Sequence, residues 1–536
     1  MIADIRNFDE LSRAFRWRIP NRYNIGVDVT DKWGRTQPDR PAILEVGADG
    51  AVSTVTFGDL SAQSNRLANA LRALGIVRGD RIGVLLPQSQ HVTIAHAAIY
   101  KLGAIAVPLA LLFGDEALAY RLNDAGVRLL IANGAGARKA RARAERTPRL
   151  EAIASMDGAD GAILGLDRML AQASPDFQAV ETGPDDPALM IYTSGTTGQP
   201  KGALHGHRVL LGHLPGVQVP HEFFPQPGDL MWTPADWAWA GGLLNALLPA
   251  LHFGVPVVAR AAEKFDPDAA FDLMARLGVR NAFFPPTALR MLRTVARPRM
   301  KYRLALRTLG SAGEALGVEP YEWARRELGM PINEYYGQTE CNLVLGSCAA
   351  LGVSKAGFIG RAIPGHTVAI LRTDGGVCAA EELGQIAVRR PDPVMFLGYW
   401  NRSEATKEKF VGEWMITGDQ GVMDAEGYVR FVGRDDDVIT SSGYRIGPGE
   451  IEDCLLRHPA VANAAVVGKK DPLRTEIVKA FIVLRAGAAA SDALVADLQD
   501  FVRARLAAYE YPREIAFVDD LPLTTSGKVI RRALRE

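Results

Sequence analysis

The amino-acid sequence predicts an α/β protein with a large N-terminal domain of helix-covered sheets and a small C-terminal α+β domain. In the first part, short β-branched runs alternate with amphipathic helical patterns, which is typical of parallel sheets covered by helices. A glycine and charge cluster at residues 433–437 (GRDDD) is then followed by a separate alternation of strand and helix patterns. A chain of 536 residues, 48% of them hydrophobic, can bury more than one core. We therefore place the domains at residues 1–435 and 436–536.

The first part supplies clear examples of this alternation. A helical pattern at residues 60–74 precedes a predicted strand at 81–86 (RIGVLL), and a second helical pattern at 115–126 precedes a predicted strand at 128–132. The Ala-, Arg- and Gly-rich stretch at 134–144 is expected to form a surface helix or loop. The long apolar stretch at 243–258 contains asparagine, histidine and two prolines, so we expect it to be buried core rather than a membrane span.

Composition excludes several classes of protein. Lys+Arg and Asp+Glu number 61 each, which argues against a broad surface for nucleic acid or anionic membrane. The cysteines form no CxxC pair, which predicts neither a disulfide framework nor a zinc site and suits a reducing cytoplasm. They are Cys341, Cys348, Cys378 and Cys454. The first fifteen residues lack an apolar run, so no secretory signal is expected.

The segment with the most chemical information is residues 191–202 (IYTSGTTGQPKG), where a predicted strand enters a loop of hydroxyl residues and glycines that ends at Lys201. Such a loop can direct backbone N–H groups, hydroxyls and an ammonium toward a polyphosphate. The spacing GxxxxGK[ST] is absent, so the loop is not a P-loop. Taken alone, the same composition would suit an ordinary turn equally well.

Four more segments accompany this loop in order. They are residues 311–315 (SAGEA), 334–340 (EYYGQTE), 416–419 (ITGD) leading to 433–445 (GRDDDVITSSGYR), and 522–528 (PLTTSGK). Together they resemble the adenylate-forming superfamily of acyl-CoA synthetases, firefly-type luciferases and peptide-synthetase adenylation domains, over essentially the whole chain. The run VITSSGYRIGPGEIED and the C-terminal segments are most similar to the medium-chain acyl-CoA synthetases. The resemblance implies a mobile small domain, a carboxylic acid, ATP and coenzyme A (CoA) as substrates, and Mg²⁺ as cofactor.

The resemblance implies an ATP site built from all five segments. The loop would hold the β- and γ-phosphates, Tyr336 would stack on adenine, and Asp419 with Arg434 would bind the ribose. Thr339 would bond the α-phosphate, and Glu340 would hold Mg²⁺, a hard cation that prefers carboxylate oxygen. The implied ATP-binding residues are Thr193, Ser194, Gly195, Thr196, Thr197, Gly198, Lys201, Gly313, Glu314, Ala315, Glu334, Tyr335, Tyr336, Gly337, Gln338, Thr339, Asp419, Arg434 and Lys528.

The implied catalytic residues are Lys528, Arg445, Glu340 and Thr196. A carboxylate that attacks an anionic α-phosphate meets charge repulsion, and a cation that bridges both groups aligns them and stabilises the developing charge. The resemblance assigns this part to Lys528, with Arg445 as a second cation. No general base is needed, because the acid is already ionised at neutral pH.

The second half-reaction requires Lys528 to leave, because CoA must reach the same carbonyl. The resemblance implies a rotation of the small domain about Asp436, which brings Ser442, Gly443 and Tyr444 into a thiol tunnel. It also implies a grip on the CoA nucleotide by Arg474, Arg503, Tyr511 and Arg513.

The acyl pocket is expected at Trp237, Trp239, Thr287 and Gly337. The family's Ala-Asp-x-Gly-Trp is here 235–239 (ADWAW), so Trp237 and Ala238 add bulk. Gly337 stands where acetyl-CoA synthetases have a tryptophan cap, which we expect to leave open space for acids of about four or more carbons, since each buried methylene contributes about 0.8 kcal/mol. Trp237 is expected to shorten the cavity, which favours short branched, medium-chain or aromatic acids.

Other functions remain as alternatives. A dinucleotide-dependent dehydrogenase is disfavoured, because no GxGxxG follows a predicted strand. A luciferase-like oxidoreductase would share the adenylation motifs but consume oxygen. An enzyme that loads a carrier protein would be favoured by a missing CoA grip, whereas Arg474, Arg503 and Arg513 favour free CoA. A binding protein without catalysis shares the motifs as well.

Overall fold

The computed structural model describes residues 2–142, 144–193, 199–262, 264–435, 437–441, 444–471, 474–506, 510–524 and 528–535, without the side chains of Thr440, Tyr444 and Arg445. These residues form four sheets. Three of the sheets lie before residue 436 and one lies after it. This matches the expected architecture of a large α/β part followed by a small one with its own sheet.

The first sheet has nine strands among the described residues, and its central strands are parallel. In spatial order they are Arg361–Ala362, Cys341–Gly346, Asn333–Gln338, Thr308–Ser311, Asn281–Phe283, Met231–Trp232, Val257–Ala259, Pro41–Val46 and Val52–Thr56. The outer pairs at both edges are antiparallel. The side chains of the central strands are buried almost throughout, as expected for strands covered on both faces.

The second sheet has eight described strands around a parallel centre. In spatial order they are Gly398–Tyr399, Gly202–Gly206, Pro187–Tyr192, Ile105–Pro108, Arg81–Leu85, Leu129–Ala132, Ala152–Ser155 and Leu164–Gly165. The edge strand Gly398–Tyr399 is antiparallel to Gly202–Gly206, which begins directly after Lys201. This pairing joins two segments that are remote in sequence.

The remaining two sheets are antiparallel apart from one pair in the fourth sheet. The third contains Val368–Leu371, Gly384–Arg389, Trp414–Met423, Phe410–Val411 and Val429–Arg434. The fourth contains Tyr444–Ile446, Ile439–Ser441, Thr475–Leu484, Val461–Asp471 and Glu514–Phe517. The fourth sheet packs against the helices Pro448–Leu456 and Asp492–Arg503 around a separate core.

Helices cover the sheets. The α-helices are Phe8–Ala14, Lys32–Thr36, Phe57–Ala73, Gln90–Lys101, Asp115–Ala125, Gly134–Arg141, Leu166–Gln172, Val209–Gln218, Ala240–Gly242, Leu248–His252, Pro267–Leu277, Pro286–Leu292, Pro298–Lys301, Val318–Trp323, Ser403–Lys407, Pro448–Leu456, Asp492–Arg503 and Arg532–Arg535. Short π-helical segments occur at Val27–Asp31, Leu243–Leu247 and Ala324–Leu328, and 3₁₀ turns at Ala144–Arg146 and Ala349–Leu351.

The predicted alternation of helices and strands is confirmed. Phe57–Ala73 begins at a Thr56–Asp59 capping box and places its apolar stripe in the largest core. Gly134–Arg141 is a helix whose buried face consists of glycine and alanine residues. Its basic residues lie in the last turn, where they interact favourably with the helix dipole. Residues 243–258 lie in the core, except that His252 and Pro256 are only partly buried. Within the described residues, no helix is long and apolar enough to cross a membrane.

Candidate active site

Parallel strands of the first sheet bring several predicted site residues together. Asn281–Phe283, Thr308–Ser311 and Asn333–Gln338 run in the same direction, so their carboxyl ends meet at one edge of the sheet. That edge is where ligands bind in open α/β sheets. The segments that follow these strands contain Thr287, the 313–315 turn and Thr339–Glu340.

A buried carboxyl lies at this edge. Glu334 accepts a hydrogen bond from the backbone N–H of Leu316 at 3.1 Å. Burial raises the pKa of Glu334 to about 7, and the Leu316 N–H opposes that rise. The sequence predicts that Glu334 binds the adenine base. Its hydrogen bond with Leu316 places it next to the 313–315 turn, which is predicted to line the same base.

The 313–315 turn is held by two side chains of the helix Pro286–Leu292. The Thr287 hydroxyl donates to Oε1 of Glu314 at 3.0 Å, and Arg290 pairs with Oε2 at 2.7 Å. Gly313 has a φ of 102°, a conformation that favours glycine. Thr287 was predicted in the acyl pocket, but its hydroxyl is engaged with a residue predicted to bind the nucleotide. Arg290 was not singled out from the sequence.

The predicted ribose site is assembled in the third sheet. The antiparallel pairing places Asp419 opposite Arg434, whose Nη1 lies 3.8 Å from Oδ1 of the carboxylate. The Tyr336 hydroxyl donates to Oδ2 at 2.5 Å, which joins the predicted adenine and ribose residues. Burial raises the pKa of the Asp419 carboxyl, and the positive charges of Arg434, Lys409 and Lys528 oppose that rise.

Tyr335 does not face this site. Its ring packs against Phe283 and His221, with centroids 5.7 and 6.3 Å away, and its hydroxyl has no hydrogen-bond partner among the described residues. Successive side chains of a strand point to opposite faces, so Tyr335 must face the core if Tyr336 faces the nucleotide. Any contribution of Tyr335 to the predicted ATP site therefore comes from its backbone.

Lys409 carries no signal in the sequence that would single it out. Its ammonium donates to Oε1 of Gln338 at 3.0 Å and to the carbonyls of Ile416 and Thr417 at 3.1 and 3.3 Å. Burial lowers the pKa of Lys409, and the charges of Glu340 and Asp419 oppose that change. The oxygen atoms that accept its hydrogen bonds belong to two other segments, around residues 338 and 416–417, so no local motif could have identified Lys409.

Glu340, the predicted Mg²⁺ ligand, is a buried carboxylate with 7% exposure. The Tyr399 hydroxyl donates to its Oε1. Among the residues that the structure describes, no lysine or arginine forms an ion pair with it. The ammonium of Lys201 lies 5.2 Å from the centroid of the Tyr399 ring. Burial, followed by the Glu340 charge, raises the pKa of Tyr399, so its hydroxyl remains a donor.

Lys528 is exposed at a loop in which its N–H donates to Oγ1 of Thr524 at 3.0 Å. The positive charge of Lys528 opposes the rise in the pKa of the Asp419 carboxyl, so the predicted catalytic lysine and the predicted ribose carboxylate interact through their charges.

The predicted CoA grip is partly assembled. The guanidinium of Arg503 lies 4.1 Å from the centroid of the Tyr511 ring, and that of Arg513 lies 5.0 Å from it. Arg474 stands just before the strand Thr475–Leu484, where its N–H donates to Asp471 at 2.8 Å. Two cations around an aromatic ring can bind a phosphate and a base together.

Several predicted residues lie outside the described part of the chain. They are Ser194, Gly195, Thr196, Thr197 and Gly198 of the phosphate loop, Asp436 of the hinge, and Ser442 and Gly443 of the thiol tunnel. The side chains of Tyr444 and Arg445 also lie outside it. At the loop's borders, the Thr193 N–H donates to the Lys201 carbonyl at 2.9 Å.

In the predicted acyl pocket, Trp237 is buried in the largest core with 1% exposure, and Trp239 packs edge-on against Phe113 at 5.7 Å. Gly337 does not leave open space, and that prediction is wrong. A Cβ at Gly337 would lie 2.5 Å from Cα of Asn342 and closer still to the backbone nitrogen of Leu343. The chain turns back on itself after Gln338, so the returning strand occupies this position.

Comparisons with known proteins identify the family of this chain. A family model described as AMP-binding enzyme matches residues 30–400, and one described as AMP-binding enzyme C-terminal domain matches residues 450–528. The chain is 32% identical to the mitochondrial acyl-coenzyme A synthetase ACSM4 of Mus musculus, over 99% of this chain and 93% of that protein. It is 33% identical to ACSM3 of Rattus norvegicus over the same shares of the two proteins.

Solved structures show the same similarity. The anthranilate CoA ligase AuaEII in complex with anthranoyl-AMP matches with a TM-score of 0.88 and 28% identity, over 96% of this chain and 97% of that one. A benzoate CoA ligase from Burkholderia xenovorans LB400 matches with a TM-score of 0.85 and 28% identity, over 96% of this chain and 100% of that one.

Proposed function

Since this chain belongs to the AMP-binding enzyme family and is an AMP-forming acyl-CoA synthetase, we propose that it activates short branched, medium-chain or aromatic carboxylic acids. Enzymes of this class convert a carboxylate and ATP to acyl-AMP and pyrophosphate, and then acyl-AMP and CoA to acyl-CoA and AMP. The observation that best supports our site assignment is the convergence of Tyr336, Arg434 and the Lys528 charge on Asp419.

In the first step, Asp419 accepts hydrogen bonds from the ribose hydroxyls, while Glu334 and the 313–315 turn receive the adenine. Lys201 and the residues 193–198 hold the β- and γ-phosphates. Lys528 places its ammonium between the carboxylate and the α-phosphate, where it offsets the repulsion between two anions. Arg445 adds a second cation at that phosphate.

Mg²⁺ fits the donor set at Glu340. This carboxylate is buried, offers oxygen atoms of the kind that a hard cation prefers, and forms no ion pair with a lysine or arginine among the described residues. Glu340 would hold Mg²⁺ through its carboxylate oxygens, and the bound ion would offset part of the cost of burying this charge. It would also neutralise negative charge on the phosphates of ATP during acyl-AMP formation.

In the second step, the small domain rotates about Asp436 and withdraws Lys528, and Ser442, Gly443 and Tyr444 line the thiol path. Arg474, Arg503, Tyr511 and Arg513 bind the CoA nucleotide. This grip supports free CoA as the acceptor instead of a carrier protein. A luciferase-like reaction is not favoured by the relatives and structures described above.

The substrate class rests on two kinds of support. The benzoate and anthranilate CoA ligases that match this chain act on aromatic acids, and the mammalian relatives are acyl-coenzyme A synthetases. Trp239 and Phe113 pack edge-on as an aromatic pair that can line the acyl pocket, and Trp237 is buried in the largest core.

The test is AMP release with acetate, butyrate, isobutyrate, hexanoate and benzoate, each with and without CoA. We expect the larger acids to exceed acetate in kcat/KM and CoA to be required for rapid AMP release. ATP–pyrophosphate exchange with no acyl-CoA product would favour carrier loading, and oxygen uptake would favour a luciferase-like reaction. Acetate as the best acid would refute the substrate class alone.

The proposed compartment is the cytoplasm, supported by four cysteines that are all free thiols. The acyl-coenzyme A synthetases ACSM4 and ACSM3 named above are mitochondrial proteins, so the proposed compartment of this chain differs from theirs. Fractionation of source cells with an antibody to this protein checks it, and recovery in an organelle would overturn it.

A further inference from the structure

Residues 396–400, which we call the strap, connect two parts of the site that are remote in sequence. The Phe396 N–H donates to the backbone carbonyl of Glu340 at 2.8 Å, and the Trp400 N–H donates to the carbonyl of Gly202 at 2.7 Å. One end of the strap is thus bonded to the backbone of Glu340, the residue that carries the predicted metal carboxylate, and the other end to the backbone of the residue after Lys201.

Tyr399 lies within the strap, and its side chain lies close to the charged groups of Glu340 and Lys201. Its hydroxyl donates to Oε1 of Glu340, and the Lys201 ammonium stands 5.2 Å from its ring centroid, within range of a cation–π interaction. One side chain therefore meets both an anion and a cation of the predicted ATP site.

Tyr399 is itself held firmly. It is 8% exposed, its ring packs edge-on against Phe396 at 5.0 Å, and its N–H donates to Oγ1 of Thr406 at 2.9 Å. A donor fixed in this way restricts rotation of the Glu340 carboxylate and leaves Oε2 for a metal. Partners of this kind orient metal ligands in many proteins.

We propose that Tyr399 is a positioning residue that orients the Glu340 carboxylate toward the metal of Mg²⁺–ATP and aligns it with Lys201. This inference rests on the proposed ATP site and adds a residue that no motif of the sequence marked. The tyrosine acts through Glu340 and Lys201 and takes no direct part in bond formation.

The test is Tyr399→Phe, which keeps the ring and removes the hydroxyl. Binding of Mn²⁺ to the complex with a non-hydrolysable ATP analogue is measured by electron paramagnetic resonance of free Mn²⁺. We expect Mn²⁺ to bind about 10–100-fold more weakly, the usual effect of losing a partner of a metal ligand. Affinity for the analogue without metal should stay unchanged, because the ring remains beside Lys201.

The matched control is Tyr100→Phe, which removes another buried tyrosine hydroxyl, one bonded to His96 at 2.9 Å in the helix Gln90–Lys101. It should leave Mn²⁺ binding unchanged. Glu340→Asp retains the charge but shortens the side chain, so it should reproduce the Tyr399→Phe effect even where Tyr399→Phe folds poorly. In a Glu340→Gln background, Tyr399→Phe should cause no further loss.

Unchanged Mn²⁺ affinity in Tyr399→Phe, or an equal loss in the Glu340→Gln background, would overturn the positioning role. If the wild-type protein does not bind the Mn²⁺–analogue complex, the proposed ATP site fails as well. The two failures are thus distinguishable in one set of titrations.

Discussion

Single residues show how burial changes chemistry at this site. Glu334, Asp419 and Glu340 are carboxyl groups with at most 7% exposure, yet each has a different partner: a backbone N–H, a tyrosine with an arginine, or a tyrosine alone. Because burial penalises the charged form, it raises the pKa of the Glu334 and Asp419 carboxyls, and their partners oppose that rise.

Glu334 should make stability depend on pH. Its pKa is raised by burial to about 7 in the folded chain, above the ordinary value of 4.5. Between these values the unfolded chain releases the proton while the folded chain keeps it, so the free energy of unfolding falls as pH rises. The difference corresponds to at most about 3 kcal/mol. Glu334→Gln should therefore gain stability relative to wild type at pH 8 but not at pH 4.5.

Thermal unfolding of both proteins across pH 4.5–8 measures this difference. Each shift in midpoint is compared at the same pH, so the titration of all other groups cancels. A difference between variant and wild type that does not change with pH would contradict the raised pKa of Glu334.

Lys528→Ala should abolish acyl-AMP formation, because no other described lysine is assigned to bridge the two anions. Acyl-CoA formation from supplied acyl-AMP should remain largely intact, since Lys528 leaves the site before that step. Lys407→Ala is the control, because Lys407 is exposed and paired only with Glu404 at 2.8 Å. Equal losses in both half-reactions would refute the assignment of Lys528 to adenylation alone.

Secondary-structure elements determine how the site residues are spaced. The hairpin of Asn333–Gln338 and Cys341–Gly346 places Glu334 and Tyr336 on the site face, with Tyr335 on the core face. It also brings the backbone of Asn342 and Leu343 over Gly337. Glycine is needed at this position because two backbones meet there, and substrate size has no part in it.

Gly337→Ala should therefore destabilise the protein by about 1–3 kcal/mol or more, since overpacking forces backbone shifts in the hairpin. ATP binding should weaken at the same time. Gly449→Ala is the matched control, because a Cβ there meets no atom within 4 Å and the residue lies in the helix Pro448–Leu456. Differential scanning calorimetry and titration with ATP check both effects. A Gly337→Ala protein as stable as the Gly449→Ala protein would contradict this prediction, because it would show that the hairpin backbone can shift to accommodate a methyl group.

At the scale of the whole molecule, several contacts join residues before Asp436 to residues after it, and Lys528 belongs to the second group. Oδ1 of Asp453 accepts a hydrogen bond from the Glu319 N–H at 3.4 Å, and Arg430 pairs with Glu450 at 3.3 Å. The charge of Glu314 also acts on Arg531. These contacts join the two predicted domains in the arrangement that the structure describes.

Asp436→Pro should affect the two half-reactions unequally, because proline restricts φ at the predicted pivot and traps one arrangement. Asp453→Ala should instead weaken acyl-AMP formation more than acyl-CoA formation, since it removes a contact of the described arrangement. Asp436→Ala, which leaves φ free, is the control for the proline. Rates of both half-reactions, measured separately, check these outcomes, and small uniform losses would show that the hinge lies elsewhere.

The sequence by itself determined the fold class and the family, and it supplied the candidate residues of the nucleotide site. These follow from local patterns: helix and strand periodicity, and short motifs such as residues 334–340 whose order along the chain is specific to one family. Within a motif, neighbouring residues have a spacing set by covalent geometry, so the motifs alone are enough to name Tyr336 and Asp419. The domain boundary, the hinge and the CoA contacts remain predictions.

Only the tertiary structure decided what Tyr399, Lys409 and Gly337 do. Tyr399 reaches Glu340 across 59 positions of sequence, and Lys409 reaches Gln338 across 71. The space for a side chain at Gly337 is taken by the backbone of the opposite strand of its hairpin. Tyr335 faces the core, because successive side chains of its own strand point to opposite faces. Such contacts depend on which surfaces pack together. The local pattern therefore named the reactive groups, and the packing of distant segments determined their partners and the space around them.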